Sequence, residues 1–241
     1  MKSATLPSAS QIGNLLIAGV SLVIVPYMAL TMLFDYPNIL RYEPGIILTR
    51  FHQGGSLLIG VWWFFAISGL VLLQAYIRIG QRLEPEEPDL RWATTLGVIS
   101  GIVQIIGLLR WPFVVPVLAA QYVQATDPAT RQATVVVFTV IHQYGGVVLG
   151  EHLGQLLTIS YTVLLSMALR RLTLFPRWIS YLGLTTSAIY LLAQGDLFAT
   201  VVPGFPVWEQ AGLVGSTLWL IWLLVLGVRF RCLDRVAVQK A

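Results

Sequence analysis

Charged residues are scarce in this sequence. Only 11% of its 241 residues are Asp, Glu, Lys or Arg, whereas 56% are hydrophobic. Soluble domains carry roughly a quarter charged residues, so this composition excludes an ordinary water-soluble fold. The mean hydropathy of +0.77 and the long apolar runs predict an integral membrane protein instead.

Cysteine and histidine are also in short supply. The single cysteine, Cys232, excludes an internal disulfide. The three histidines are few for a metal or haem protein, and the sequence contains neither a Cys-x-x-Cys-His nor a His-Glu-x-x-His motif. No cleavable signal peptide is evident, because the first apolar run begins late and is long enough to span a bilayer.

The apolar runs are long and continuous rather than short and alternating, which favours membrane-spanning helices over a β-barrel. The sequence therefore predicts an all-α polytopic membrane protein, in which residues 1–241 form a single domain of six transmembrane helices. The predicted spans are residues 14–34, 46–77, 92–120, 135–169, 178–197 and 209–228.

Most basic residues fall on one side of these spans. Six spans put both termini on the same side, together with the basic segments 78–91, 170–177 and 229–240. The opposite loops carry few basic residues, chiefly Arg41, Arg50 and Arg131. The positive-inside rule then predicts a location in the cell (inner, cytoplasmic) membrane with both termini cytoplasmic. The net charge of +4 arises from these basic loops and does not indicate nucleic-acid binding.

The most polar stretch inside an apolar run is residues 142–155, with the sequence HQYGGVVLGEHLGQ. A charged carboxylate such as Glu151 is costly at membrane depth, so it is expected to face the bundle interior and to find a partner or take up a proton. The best candidate partner is Arg110, on the preceding predicted helix. This pair is either a structural lock between two helices or part of a site for a proton, ion or polar ligand.

An α-helix through this stretch, at roughly 100° per residue, aligns His142 with three glycines that follow at intervals of four residues. Such a stripe lets a neighbouring helix approach closely in lipid. Glu151 follows His142 by nine residues and is therefore expected on roughly the opposite face. His152 is expected about 15 Å further along the axis, so these two histidines cannot share a metal on one straight helix.

An internal repeat with an offset of about ninety residues is also visible. The pair His-Gln recurs at 52–53 and 142–143, and Val-Pro recurs at 25–26 and 115–116. A weaker third copy begins at 209. The pattern predicts a repeated helical hairpin, and transporters place substrate sites at the interfaces of such repeats. The alternative is that these polar residues only begin helices and bond to neighbouring helices or water.

Three segments carry a family resemblance: GLLRWPFVVPVLA (107–119), HQYGGVVLGEHLGQLLTISYT (142–162) and FPRWISYLGL (175–184). With these motifs the chain resembles a bacterial integral-membrane family catalogued as domain of unknown function 4386. The resemblance implies a multi-span helical membrane protein and transfers no activity and no catalytic residue. It makes Arg110 and Glu151 stronger candidates for a functional or structural pair.

The first functional hypothesis is a protein that binds or transports a small polar, anionic or lipid-like ligand. Arginines would suit an anionic group, and Glu151 could exchange a proton. The candidate ligand-binding residues are Arg50, His52, Gln53, Arg110, His142, Gln143, Glu151 and His152.

Three alternatives stay open. His52 and His142, at similar depth on parallel spans, could hold a haem or a metal. Glu151 and His152 could act on a lipid as an enzyme, although the sequence lacks the usual hydrolase motifs and favours no catalytic role. The chain could also be an accessory subunit, whose partners would be the lipid bilayer, another membrane protein or a second copy of itself.

Overall fold

The computed structural model describes residues 6–239, with side chains up to residue 233, and this part of the chain is helical without a strand. The helices are α1 (Ala9–Phe34), α2 (Pro44–Leu83), α3 (Leu90–Phe113), α4 (Val115–Gln124), α5 (Pro128–Ile141), α6 (Gly154–Arg171), α7 (Arg177–Leu192), α8 (Gln194–Ala199) and α9 (Ala211–Gln239). A 3₁₀ turn, Asn38–Arg41, lies between α1 and α2, and a π-helix, His142–Leu153, joins α5 to α6.

Five of the helical stretches are long and apolar enough to cross a membrane: Ala9–Phe34, Pro44–Leu83, Leu90–Gln124, Pro128–Arg171 and Ala211–Leu233. The prediction of an all-α polytopic membrane protein is therefore confirmed. The remaining predicted span, 178–197, is divided between α7, which has 16 residues, and the short α8. At 1.5 Å per residue, α7 is about 24 Å long, somewhat less than the roughly 30 Å of a bilayer core.

Prolines explain the break inside the third span. Val114 separates α3 from α4, with φ −109° and ψ −49°. Pro112 and Pro116 lie on either side of this residue. Proline has no N–H to donate and its ring clashes with the carbonyl four residues earlier, so an α-helix kinks at such a point.

The chain forms two compact units. The terminal unit is built from the described residues of Met1–Ser21, Leu70–Gly101 and His152–Ala241, and the central unit from Leu22–Gly69 and Ile102–Glu151. The prediction that residues 1–241 form one domain stays a prediction.

An aromatic stack forms the core of the central unit. The ring of Trp111 stacks on Trp62 at 4.6 Å between centroids and on Phe51 at 5.7 Å. Phe34 meets the Trp111 ring edge-on at 5.5 Å. These four side chains are at most 2% exposed. Each large ring contributes buried apolar area and a favourable stacked or edge-on geometry, so the stack holds both halves of the central unit together.

Helix α7 packs against α6 and α9 within the terminal unit. The indole N–H of Trp222, on α9, donates to the Ile179 carbonyl oxygen at 3.0 Å. The Ser100 hydroxyl donates to the Gly154 carbonyl oxygen at 2.8 Å and so joins α3 to α6. Hydrogen bonds from a tryptophan and a serine side chain thus connect helices within the terminal unit.

Each half of the central unit has an irregularity at or just after the recurring His-Gln pair. Helix α2 is interrupted at Gly55, whose φ of +56° glycine alone adopts easily. The π-helix begins at His142. The hairpin repeat itself, in two or three copies, stays a prediction.

A close approach at Gly107 joins α3 to the π-helix. A Cβ added to Gly107 would lie 2.6 Å from the Gly145 carbonyl oxygen and 2.9 Å from the Gly150 Cα. We therefore expect Gly107→Ala to lower the free energy of unfolding by about 1–3 kcal/mol through overpacking. Gly60→Ala is the matched control, because a Cβ there meets nothing within 4 Å. Thermal unfolding in detergent measures both, and equal midpoints for the two variants would contradict the close approach.

Candidate functional site

The π-helix changes which residues share a face. Its hydrogen bonds run from i to i+5, and helices of this kind occur frequently at functional sites. A π turn holds about 4.4 residues, so the nine residues from His142 to Glu151 make about two full turns. The expectation that Glu151 lies opposite His142 is therefore wrong, because it assumed 3.6 residues per turn.

Both side chains contact the same 3₁₀ turn. His142 Nε2 lies 3.1 Å from the Leu40 carbonyl oxygen, and Glu151 Oε2 lies 2.8 Å from a terminal nitrogen of Arg41. A carbonyl oxygen can only accept, so Nε2 of His142 carries the proton and donates it. In neutral His142, Nδ1 is then an acceptor.

The ion-pair partner of Glu151 is Arg41, and the predicted direct pair with Arg110 is not formed. The side chains of Arg41 and Glu151 are 32% and 21% exposed. Because the pair is partly exposed, solvent screening keeps its contribution to stability small. Arg110 interacts with Glu151 electrostatically, at longer range than a hydrogen bond.

Arg110 is a buried cation without a hydrogen-bonded carboxylate among the described residues. Its side chain is 7% exposed and donates to the Gly107 carbonyl oxygen, while its guanidinium lies 5.1 Å from the centroid of the Trp111 ring. A Cβ added to Gly146 would lie 2.8 Å from Arg110 Cζ, so glycine leaves the space that the guanidinium occupies. Arginine stays charged in proteins, and a buried charge without a counter-ion costs several kcal/mol, as an order of magnitude.

Four buried polar atoms of the central unit have no hydrogen-bond partner within the described chain. They are Trp62 Nε1, Arg110 Nε, His142 Nδ1 and Glu151 Oε1. The centroid of the Trp111 ring lies 4.6 Å from that of Trp62, 6.0 Å from that of His142 and 5.1 Å from the guanidinium carbon of Arg110. Folded proteins pair the large majority of their buried side-chain polar atoms, so unpaired atoms on four residues of one unit need an explanation.

We name these four residues and Arg41 the Arg110 cluster. It offers two unpaired donors, on Trp62 and Arg110, and two unpaired acceptors, on His142 and Glu151. Arg41 is ion-paired with Glu151, whereas Arg110 is a buried guanidinium with no hydrogen-bonded carboxylate among the described residues.

The other predicted site residues are not members of the Arg110 cluster. Arg50 lies 3.9 Å from Asp35 and 5.3 Å from the Tyr42 ring centroid, whereas His52 and Gln53 are exposed. Gln143 is half-buried and has an interaction partner. The structure thus joins three of the eight predicted residues, Arg110, His142 and Glu151, through the Arg110 cluster.

His152 belongs to a separate polar chain in the terminal unit. Its Nδ1–H donates to Gln194 Oε1 at 2.6 Å, and the Gln194 amide donates to Gln155 Oε1 at 2.7 Å. The Phe198 ring lies edge-on to His152 at 5.7 Å. Glu151 and His152 therefore bond to different partners.

The histidines are poorly arranged for a metal or haem. His52 is exposed, and Nε2 of His142 is already engaged with the Leu40 carbonyl oxygen. Among residues 6–239, no three side chains of His, Cys, Asp or Glu come together in a way that could hold a metal ion. The geometry therefore gives the redox alternative no support.

Sequence reasoning missed two members of the Arg110 cluster, Arg41 and Trp62. A signal for Arg41 existed, because it is one of the few basic residues in the loops predicted to be non-cytoplasmic. Trp62 gave no such signal, since tryptophan is common in membrane helices and its unpaired N–H is visible only in the folded chain.

These observations define a multi-pass α-helical membrane protein with a buried arginine, Arg110. The chain belongs to the family described as Domain of unknown function (DUF4386), whose model matches residues 12–227. The resemblance noted in the sequence is thus confirmed. No curated protein and no solved structure matches the chain.

The buried charge of Arg110, which has no hydrogen-bonded carboxylate among the described residues, leads to a stability prediction. Arg110→Met keeps a long flexible side chain and removes the charge, so in low-salt detergent without added anions we expect stabilisation of about 1–4 kcal/mol. The exposed Arg131→Met should change stability by less than about 0.5 kcal/mol. Thermal unfolding measures both variants. Destabilisation by Arg110→Met would show that its contacts with Gly107 and Trp111 outweigh the cost of the buried charge.

Proposed function

We propose that this protein binds a small anionic ligand at the Arg110 cluster and carries it within or across the membrane. The observation that supports this proposal is the buried guanidinium of Arg110, which has an unpaired Nε and no hydrogen-bonded carboxylate among the described residues. An anion would compensate this charge, and the low dielectric of the site would strengthen the attraction.

The chemistry of the Arg110 cluster suits a carboxylate or a phosphate group. A guanidinium presents planar donors that match the oxygens of such groups, and the Trp62 N–H adds a further donor. The unpaired acceptors on His142 and Glu151 would receive a hydroxyl or amine of the same ligand. A small organic acid and an anionic lipid headgroup both fulfil these requirements.

The position of the cluster supports a carrier rather than a permanent binding site. Arg41 and Trp62 come from the first hairpin of the central unit, whereas Arg110, His142 and Glu151 come from the second. Transporters place their substrates between repeated hairpins in this way. The partly exposed pair of Arg41 and Glu151 provides contact with the surroundings, while Arg110 is buried.

The binding step is tested with two probes, acetate and the anionic lipid phosphatidylglycerol, with phosphatidylcholine as the uncharged comparison. We expect both anions to raise the thermal midpoint of the purified protein in neutral detergent. Arg110→Gln should weaken binding at least about thirtyfold, since loss of one partner of a buried charge pair costs roughly 2–5 kcal/mol.

Arg131→Gln is the matched control, because it removes an exposed arginine from the same unit and should leave binding unchanged. Absence of binding to wild-type protein, or equal binding to Arg110→Gln, would contradict the proposed function. Uptake of labelled acetate into liposomes that contain the protein then separates transport from binding.

The proposal includes a location in the cytoplasmic membrane with both termini inside the cell. It is supported by the basic residues that gather at 78–91, 170–177 and 229–240, because loops rich in Lys and Arg stay cytoplasmic. We expect a green fluorescent protein fused after residue 241 to fluoresce and alkaline phosphatase fused there to be inactive. Phosphatase fused after residue 37 should be active, and the reverse pattern would contradict this topology.

A further inference from the structure

Two arginines of the terminal unit lie over aromatic rings of α7. The guanidinium carbon of Arg229, on α9, is 5.8 Å from the centroid of the Trp178 ring. The guanidinium carbon of Arg170, in the last turn of α6, is 5.9 Å from the centroid of the Tyr181 ring. A cation at such a distance from a ring face is attracted to it. Because Trp178 and Tyr181 are three residues apart, they are neighbours on α7, and the two guanidinium groups flank the same face of this helix.

These arginines have no carboxylate partner. Among the side chains that the structure describes, Arg170, Arg177 and Arg229 form no ion pair. Arg171 instead pairs with two acidic residues of the loop between α2 and α3, at 2.8 and 3.8 Å. The first turn of α7, which begins with Arg177, contains no acidic residue. Three positive charges therefore gather around the start of α7 without a counter-ion from the described chain.

Buried contacts fix the rotation of α9 beside α7. Phe230, directly after Arg229, is fully buried and meets Phe175 edge-on at 5.1 Å between centroids. Successive residues of a helix point about 100° apart, so burial of Phe230 turns Arg229 away from the core. The positive-inside rule accounts for an arginine at this end of α9, but not for its position over the ring of Trp178. That position follows from the packing of the helices.

An exposed face of α7 continues from the arginines along the helix. Trp178 and Tyr181 are 48% and 52% exposed, and Thr185, Ala188 and Leu192 follow them, also exposed. Intervals of three and four residues place all five in one stripe. The small side chains of Thr185 and Ala188 leave room for an acyl chain beside the helix. A charged end followed by a mainly apolar stripe matches the two parts of a phospholipid.

We propose that this surface binds an anionic phospholipid of the bilayer. We name it the α7 surface, and it consists of Arg170, Arg229 and the exposed stripe of α7. The two guanidinium groups donate to the phosphate, and an acyl chain follows the stripe. The ammonium group of a zwitterionic headgroup would meet unpaired arginines, so a headgroup with a net negative charge is preferred. The α7 surface shares no residue with the Arg110 cluster, and its ligand goes beyond the proposed function.

Competition between phosphatidylglycerol and phosphatidylcholine measures this preference. Native mass spectrometry of the purified protein, mixed with equal amounts of both lipids in neutral detergent, counts the bound molecules of each. We expect the wild-type protein to prefer phosphatidylglycerol. Arg170→Gln and Arg229→Gln should each lower the preference about fivefold, because one arginine near an anionic headgroup contributes roughly this factor. Both residues are exposed, so the variants are expected to fold.

Arg231→Gln is the matched control. Arg231 is a second exposed arginine of α9, two residues after Arg229 and therefore about 200° around the helix. Its substitution removes the same charge from the same end of α9 and should leave the preference unchanged. If Arg231→Gln and Arg229→Gln lower the preference equally, a general positive charge attracts the lipid and the α7 surface is not a site.

Trp178 gives a local readout of the same binding. Phosphatidylglycerol with a nitroxide on its acyl chain, close to the headgroup, quenches the fluorescence of nearby tryptophans. The quenching that is lost in Trp178→Phe is the share of Trp178 itself. We expect this share to be larger with labelled phosphatidylglycerol than with labelled phosphatidylcholine, and Arg229→Gln to remove the difference. Equal quenching of Trp178 by both lipids in the wild-type protein would overturn the proposal.

The Arg110 cluster and the α7 surface can fail separately. In an Arg110→Gln background, Arg229→Gln should still lower the lipid preference about fivefold, because the two sites share no residue. If only Arg110→Gln reduces binding of phosphatidylglycerol, the α7 surface is wrong and the proposed function stands. If only Arg170→Gln and Arg229→Gln reduce it, and acetate does not bind through Arg110, the proposed function is wrong and the α7 surface stands.

Discussion

The buried charge of Arg110 is the constraint on which the central unit depends. The Arg110 side chain is only 7% exposed, so its charge needs favourable contacts inside the protein. It donates to the Gly107 carbonyl oxygen, lies near the Trp111 ring and occupies the space beside Gly146. None of these is an anion. A buried charge without a hydrogen-bonded anion is costly, and this cost is the reason for proposing an anionic ligand at Arg110.

The π-helix positions the two members of the Arg110 cluster that it carries, His142 and Glu151. With one additional residue in each hydrogen-bonded turn, His142 and Glu151 reach the same side and contact neighbouring residues of the 3₁₀ turn. Glycines let the π-helix and α3 approach closely, because Gly145 and Gly150 lie against Gly107. Glycine spacing, helix type and the position of the carboxylate are therefore linked, and a change in one is expected to disturb the others.

Much of this protein could be predicted from composition and hydropathy. Apolar runs of about twenty residues must become helices in lipid, because every backbone N–H and C=O needs a partner within the same segment. The same reasoning identified Arg110, His142 and Glu151 as candidates, since polar side chains inside such runs are costly and rarely accidental. The fifth span was predicted less well, because an apolar composition does not reveal that the helix is divided after Leu192.

The sequence by itself therefore determined the class of protein, the approximate spans and two of the three charged residues of the Arg110 cluster, Arg110 and Glu151. The tertiary structure decided their partners. Glu151 pairs with Arg41 because the backbone is π-helical there and because the turn before α2 places Arg41 alongside it. Helix type depends on the packing of glycines against a neighbouring helix, and turn position depends on buried contacts such as that of Ile39. These are long-range contacts, which a local pattern of residues does not contain.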